Sequence, residues 1–123
     1  MRLLEISLVF YFGGFNFAPT REQTIKYMKG WCPYFALAVH DVFGYSIFFS
    51  TPNHFLNVHD KKYIDIRGIM TEKQVSNGII SENFITISRQ ELIDEINTGD
   101  YKCGFFNKKD LNSAKNLVKK LMK

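Results

Sequence analysis

Lys29-Gly30-Trp31-Cys32-Pro33-Tyr34-Phe35-Ala36-Leu37-Ala38-Val39-His40-Asp41-Val42-Phe43-Gly44 is the stretch that decides how this chain folds. Gly30 breaks the helical run before it, Pro33 suits the first turn of a new helix, and Gly44 ends that helix. Between them Phe35, Ala36, Ala38, Val39, Val42 and Phe43 form a broad apolar face, as a central buried helix requires. Cys32 falls at the helix start, outside that face. There the positive end of the helix dipole and several unpaired backbone N–H groups favour thiolate over thiol. The same N–H groups could stabilise an oxyanion formed at an attacked carbonyl. The competing reading is a small buried core cysteine, and a partner base is what separates the two.

Three histidines compete for that part. His40 lies eight residues after Cys32 on the same helix, about 12 Å along its axis, and reads as structural or surface. His54 and His59 fall in a β-type segment, with strands expected at 45–50, 54–59 and 62–67 and turns at 51–53 and Asp60-Lys61. A two-residue turn at Asp60-Lys61 sets 59 opposite 62, 58 opposite 63 and 56 opposite 65. His54, Leu56, Val58, Tyr63, Asp65 and Arg67 then line one side, with His54 and Asp65 as diagonal neighbours within side-chain reach. His59 points to the other face. A three-residue turn would flip one strand and undo the pairing, so the geometry rests on turn type. The pattern assigns Cys32 as nucleophile, His54 as base and Asp65 as the acid that orients it. The plainer role for Asp65 is a salt bridge to Arg67 or Lys62. Trp31, beside the thiol, and Asn53, beside His54, are the candidate substrate-contacting residues.

The remaining chain frames this centre. Residues 3–11 read as a buried strand, and a short helix runs from Thr20 to Met28 behind Pro19. A poorly defined helical turn covers 71–77, and 83–87 form another strand. Ser88 and Glu91 form a capping box that opens a helix to about Asn97. Tyr101 to Phe106 suggest a final edge strand. Asn107 to Lys123 make an amphipathic helix with Leu111, Ala114, Leu117, Val118 and Leu121 inward. Helices, then a mostly antiparallel sheet, then helices again make an α+β chain and not a doubly wound one. With 123 residues, 46% of them hydrophobic, a single domain over 1–123 is expected.

Two cysteines are too few for a disulfide framework. Glu5 interrupts the apolar start, so neither a signal peptide nor a membrane span is expected. The expected location is the cytoplasm, where a free thiol survives. The net charge of +4 is mild, and six lysines fall in the last sixteen residues. These read as the solvated face of the terminal helix, with nucleic acid a minor option.

Gly30-Trp31-Cys32 through Phe43-Gly44, followed by His54-Phe55-Leu56-Asn57-Val58 and Lys62-Tyr63-Ile64-Asp65-Ile66-Arg67-Gly68, resembles small bacterial and phage papain-like cysteine peptidases. The likeness covers roughly residues 30–68. It implies a papain-like fold (NlpC- or transglutaminase-like), with an N-terminal nucleophile helix packed on a mostly antiparallel sheet. It also implies a Cys32–His54–Asp65 triad attacking an amide, isopeptide or thioester carbonyl of a peptide-like or protein substrate, with no cofactor and no metal. Peptidase, cell-wall amidase, deamidase and transglutaminase-like activities share this constellation. The chain departs from the pattern at one position. Papain carries a glutamine six residues before its cysteine, and here that place is held by Lys26, with Gln23 farther back; Asn53 or Gln23 could substitute.

The alternative is a catalytically silent papain-like binding module, a phage or mobile-element accessory protein that binds or inhibits a host protein. Phe15, Phe17, Trp31, Tyr34, Phe48 and Phe49 could supply its surface, although most aromatics belong to a core. His54 and His59 with Asp60 or Asp65 could be metal ligands, but no metal-binding spacing accompanies them.

Overall fold

The computed structural model describes residues 17–50, 54–71, 84–99 and 101–122. The expected strand at 3–11, the turn at 51–53 and residues 72–77 of the expected helical turn lie outside them. Helix α1, Arg21–Met28, starts at a capping box: Gln23 N donates to the Thr20 hydroxyl, and Thr20 N donates back to Gln23 Oε1. Helix α2, Cys32–Phe43, ends where Gly44 turns left-handed at φ 76° and donates its N–H to His40 O. Cys32 through Val39 are all buried in it. The apolar face read from the sequence is thus a helix wrapped by protein over most of its length.

Five antiparallel strands follow, β1 Ser46–Ser50, β2 His54–His59, β3 Lys62–Asp65, β4 Gly68–Thr71 and β5 Phe84–Ile87. Their order is β4-β3-β2-β1-β5. The first four form a meander, and β5 returns to the open side of β1. Helix α3, Arg89–Thr98, begins at the expected capping box of Ser88 and Glu91. Helix α4, Lys108–Leu121, is capped by Asn107, whose side chain accepts from Asp110 N. It lays Leu111, Ala114, Val118 and Leu121 inward against α2, while Lys108, Lys109, Lys119 and Lys120 stay exposed.

Two fixings hold α2 alongside β2. Midway, Asn57 Nδ2 donates to Ala36 O at 3.0 Å. At the far end Phe43 and His59 both stack on Tyr45, with ring centroids 5.5 and 4.1 Å away, and His40 Nδ1 pairs with Tyr45 O at 2.9 Å. His40 and His59 are therefore structural, joining the C-terminal end of the helix to the sheet. The near end is left to Cys32 and His54.

The hairpin has the expected turn. Asp60 and Lys61 take φ of 50° and 61°, the paired left-handed residues of a type I′ turn. His59 faces Lys62, Val58 faces Tyr63 and Asn57 faces Ile64. Two expectations are corrected. The strand begun at Lys62 stops at Asp65, and Ile66-Arg67 turn the chain into β4, a strand the sequence reading missed. Tyr101 to Phe106 form no strand. Their aromatic content serves packing: Tyr101 lies against Phe55 and Phe106 stacks on Tyr34.

Lys61 bears a side chain where glycine is preferred. A left-handed conformation costs an ordinary residue roughly 1–2 kcal/mol, partly offset in glycine by its greater unfolded-state freedom. Lys61→Gly is expected to stabilise the fold by about 0.5–1 kcal/mol, read as a raised urea midpoint with an unchanged slope.

Candidate active site

The site is assembled from the N-terminus of one helix and the matching ends of two strands. Cys32 is the first residue of α2, and the residue before it, Trp31, makes no side-chain cap. No acidic residue occupies the first turn, so nothing there competes with an anion for the helix dipole. Gly30 takes φ 104°, and a Cβ on it would lie 2.9 Å from Lys102 Cβ. Only glycine satisfies both the left-handed backbone and that approach.

His54 opens β2 and Asp65 closes β3, so antiparallel pairing brings them to one end of the sheet. His54 Nε2 and Asp65 Oδ2 are 2.9 Å apart. With Nε2 taken, Nδ1 is the ring nitrogen left to meet the thiol, and Cys32 is a hydrogen-bond partner of the His54 ring. The structure thus brings together the three residues named from the sequence.

Asp65 is only 2% exposed and is also gripped by Arg67. Oδ1 accepts from Arg67 N at 2.7 Å, and Oδ2 accepts from Arg67 Nη2 at 2.6 Å. The orienting role and the salt bridge were alternatives in the sequence; the carboxylate fills both. An Asp-x-Arg spacing across the tight turn after β3 returns both the backbone N–H and the guanidinium to the same acid.

Burial works against charge at each of these groups and is overcome. At His54 the hydrogen bonds and charges of Asp65 and Cys32 outweigh desolvation and push the imidazolium from 6.5 up to about 9. Burial would raise the Asp65 carboxyl, but the Arg67 guanidinium and His54 hold it well below the usual carboxylate range. The ring is thus held protonated between the Asp65 carboxylate and Cys32.

Cys32 is 3% exposed, and residues 101–107 lie across the start of α2. Lys102 packs on Gly30. Tyr34 donates its hydroxyl to Phe105 O and accepts from Asn107 N. Cys103, buried in the same segment, has its thiol pushed up by desolvation, with a smaller contribution from Cys32. No local sequence signal marks this cover, because its contacts join residues about seventy positions apart.

Trp31 stays at the site, partly buried beside the thiol, with the Lys26 ammonium 4.4 Å from its ring. Lys26, six residues before Cys32, is thus turned toward the residue that precedes the thiol. Gln23 is committed to the cap of α1. Asn53 lies outside the described residues. Pro33 has no N–H and Tyr34 N donates to Trp31 O, so fewer backbone donors face the sulfur than the helix start promised. His54 and His59 sit at opposite ends of β2 and do not converge on a metal.

Comparison with protein-family models, with curated proteins and with solved structures finds no match for this chain.

Two outcomes follow from the charges. The raised His54 value contributes stability fully present below pH 6.5 and lost as pH climbs through about 9. The depressed Asp65 value contributes stability present above 3.8 and lost as pH falls. Urea midpoints should therefore peak between those limits, and Asp65→Asn should return the His54 ring toward 6.5 in an NMR titration. Arg67→Ala leaves a buried carboxylate half-compensated and is expected to cost about 3 kcal/mol by urea denaturation.

Proposed function

We propose that this chain is a papain-like, thiol-dependent hydrolase or acyl transferase acting on an amide, isopeptide or thioester carbonyl of a peptide-like or protein substrate. The observation that carries the reading is the continuous hydrogen-bonded chain Asp65–His54–Cys32 at a helix N-terminus. The α+β layout, with the thiol-bearing helix packed beside an antiparallel sheet, supports the papain-like assignment. No helix among the described residues is long and apolar enough to cross a membrane, and Cys32 and Cys103 are not joined in a disulfide. A cytoplasmic site of action suits these thiols.

The chemistry balances with the groups present. The Cys32 sulfur attacks the carbonyl carbon, forming a C–S bond while the carbonyl electron pair moves to oxygen. The oxyanion lies in the field of the α2 N-terminus. As the electron pair returns, the bond to the leaving amine or thiol breaks, and His54 delivers its proton to that group. Water, or an acceptor amine, then attacks the thioester while His54 takes the proton, and Cys32 leaves as thiolate. Asp65 keeps its charge throughout and holds the ring in place, as a fixed acid does beside a catalytic imidazole.

The 3% exposure of Cys32 favours a second reading, a silent papain-like module that acts by binding a protein partner. Alkylation separates the two. Cys103 belongs to the cover, so an opening that uncovers Cys32 also uncovers Cys103. The ratio of their rates then reports intrinsic nucleophilicity, not access. Iodoacetamide near pH 7 should modify Cys32 at least about tenfold faster than Cys103, and His54→Ala should bring the ratio toward one, as read by peptide mass spectrometry. Equal rates in the native protein would sink the enzyme reading and leave the binding module.

A further inference from the structure

Between α3 and the sheet lies a cavity of about 210 Å³ lined by Phe49, Phe55, Ile85, Ile87, Glu91 and Glu95. Its floor is the apolar face of β1, β2 and β5, and its rim is one side of α3. Glu91 and Glu95, four residues apart on that helix, present two carboxylates to the same opening. Both are anchored by hydrogen bonds. Glu91 Oε1 accepts from Ser88 N at 2.8 Å, which holds its carboxyl below the usual range. Glu95 Oε1 accepts from the Tyr101 hydroxyl at 3.3 Å. Neither carboxylate forms an ion pair with a lysine or arginine among the described residues. Ile85 remains 59% exposed at the cavity.

The cavity is linked to the cover over Cys32 through Tyr101, whose ring packs against Phe55 with centroids 5.9 Å apart and whose hydroxyl donates to Glu95. Tyr101 thus bridges the cavity rim at Glu95 and the cover over Cys32.

We infer that this cavity is a side-chain subsite for lysine or arginine in the substrate, the aliphatic stem lying on Phe55 and Ile85 and the cationic head meeting Glu91 and Glu95. The size suits one long side chain and falls short of a drug-sized ligand, whose pockets begin near roughly 300 Å³. Two acids on the rim of an apolar floor are complementary to a long aliphatic side chain that carries its charge at the tip. A neutral aliphatic side chain would satisfy the floor alone, and an acidic one would meet like charge. The inference rests on the acyl-transfer reading for what the side chain is attached to.

The test uses the full chain and three affinity reagents, chloromethyl ketones of acetyl-lysine, acetyl-norleucine and acetyl-glutamate. The lysyl reagent should alkylate Cys32 up to about tenfold faster than the norleucyl one, the effect of two exposed ion pairs. The glutamyl reagent should be the slowest. Glu91→Gln with Glu95→Gln keeps each acceptor for its hydrogen bond and removes only charge; the lysyl-to-norleucyl ratio should then fall to about one. Added salt should erode the preference in the native protein. A ratio of one in the native protein, with Cys32 still selectively alkylated by iodoacetamide, would overturn the subsite and leave the acyl-transfer reading standing. Binding is read separately by methyl NMR with acetyl-lysine methylamide. Saturable shifts at Ile85 and Ile87, lost in the double variant, support the cation subsite even if Cys32 proves unreactive; no shifts at those residues overturn it.

Discussion

The buried carboxylate of Asp65 is the constraint around which this end of the molecule is organised. A carboxylate at 2% exposure is unfavourable unless its lone pairs are filled by donors and its charge is met. Arg67 meets it through backbone and side chain together, and that requirement bends the chain sharply enough to start β4 only two residues after β3 ends. His54 supplies the other donor, which fixes its ring and keeps it charged. One acid therefore sets a turn, a tautomer and a protonation state. These are consequences of one desolvation problem, and none can be altered without disturbing the others.

The cysteine reaches that centre because its helix is fastened elsewhere. Ala36 is tied to Asn57 halfway along, and the Phe43–Tyr45–His59 stack clamps the far end. With the middle and one end of α2 held to β2, the position of its first residue is determined to within the stiffness of a helix. The middle tie has a cost. Asn57 Oδ1 is buried without a hydrogen-bond partner, a penalty of about 1–3 kcal/mol for the group. Retaining Asn57 there secures a particular helix placement, where an aliphatic side chain would secure only burial.

Much of this was legible from residue order. Pro33 and Gly44 bracket α2, the Ser88–Glu91 pair marks α3, and the spacing around Asp60-Lys61 sets the register that makes His54 and Asp65 neighbours. Each signal is local, acting within a few residues through capping or alternation. What escaped was non-local or ambiguous. β4 is only four residues long, Gly68–Thr71, too short for a period to declare itself. Tyr101 to Phe106 carried strand-like aromatics whose partners, Tyr34 and Phe55, are distant in the chain. Gln23 looked available for an oxyanion because composition does not reveal that an amide is already serving a helix cap. The likeness to papain-like peptidases rests on order and spacing in the central residues and says nothing of the segment lying over them.

That segment has a kinetic meaning. The Tyr34 hydroxyl, two residues beyond Cys32, accepts from the residue that caps α4, so lifting the cover frays the start of the last helix. Each 1.4 kcal/mol that such an opening costs lowers the open fraction about tenfold, and the observed rate of any reaction at the sulfur is scaled by that fraction. A bimolecular rate constant at Cys32 is therefore a product of two factors, the inherent speed of the sulfur and the minority population able to use it. A partner that binds the open form would raise the second factor alone, and the thiol would quicken without any change in its own chemistry.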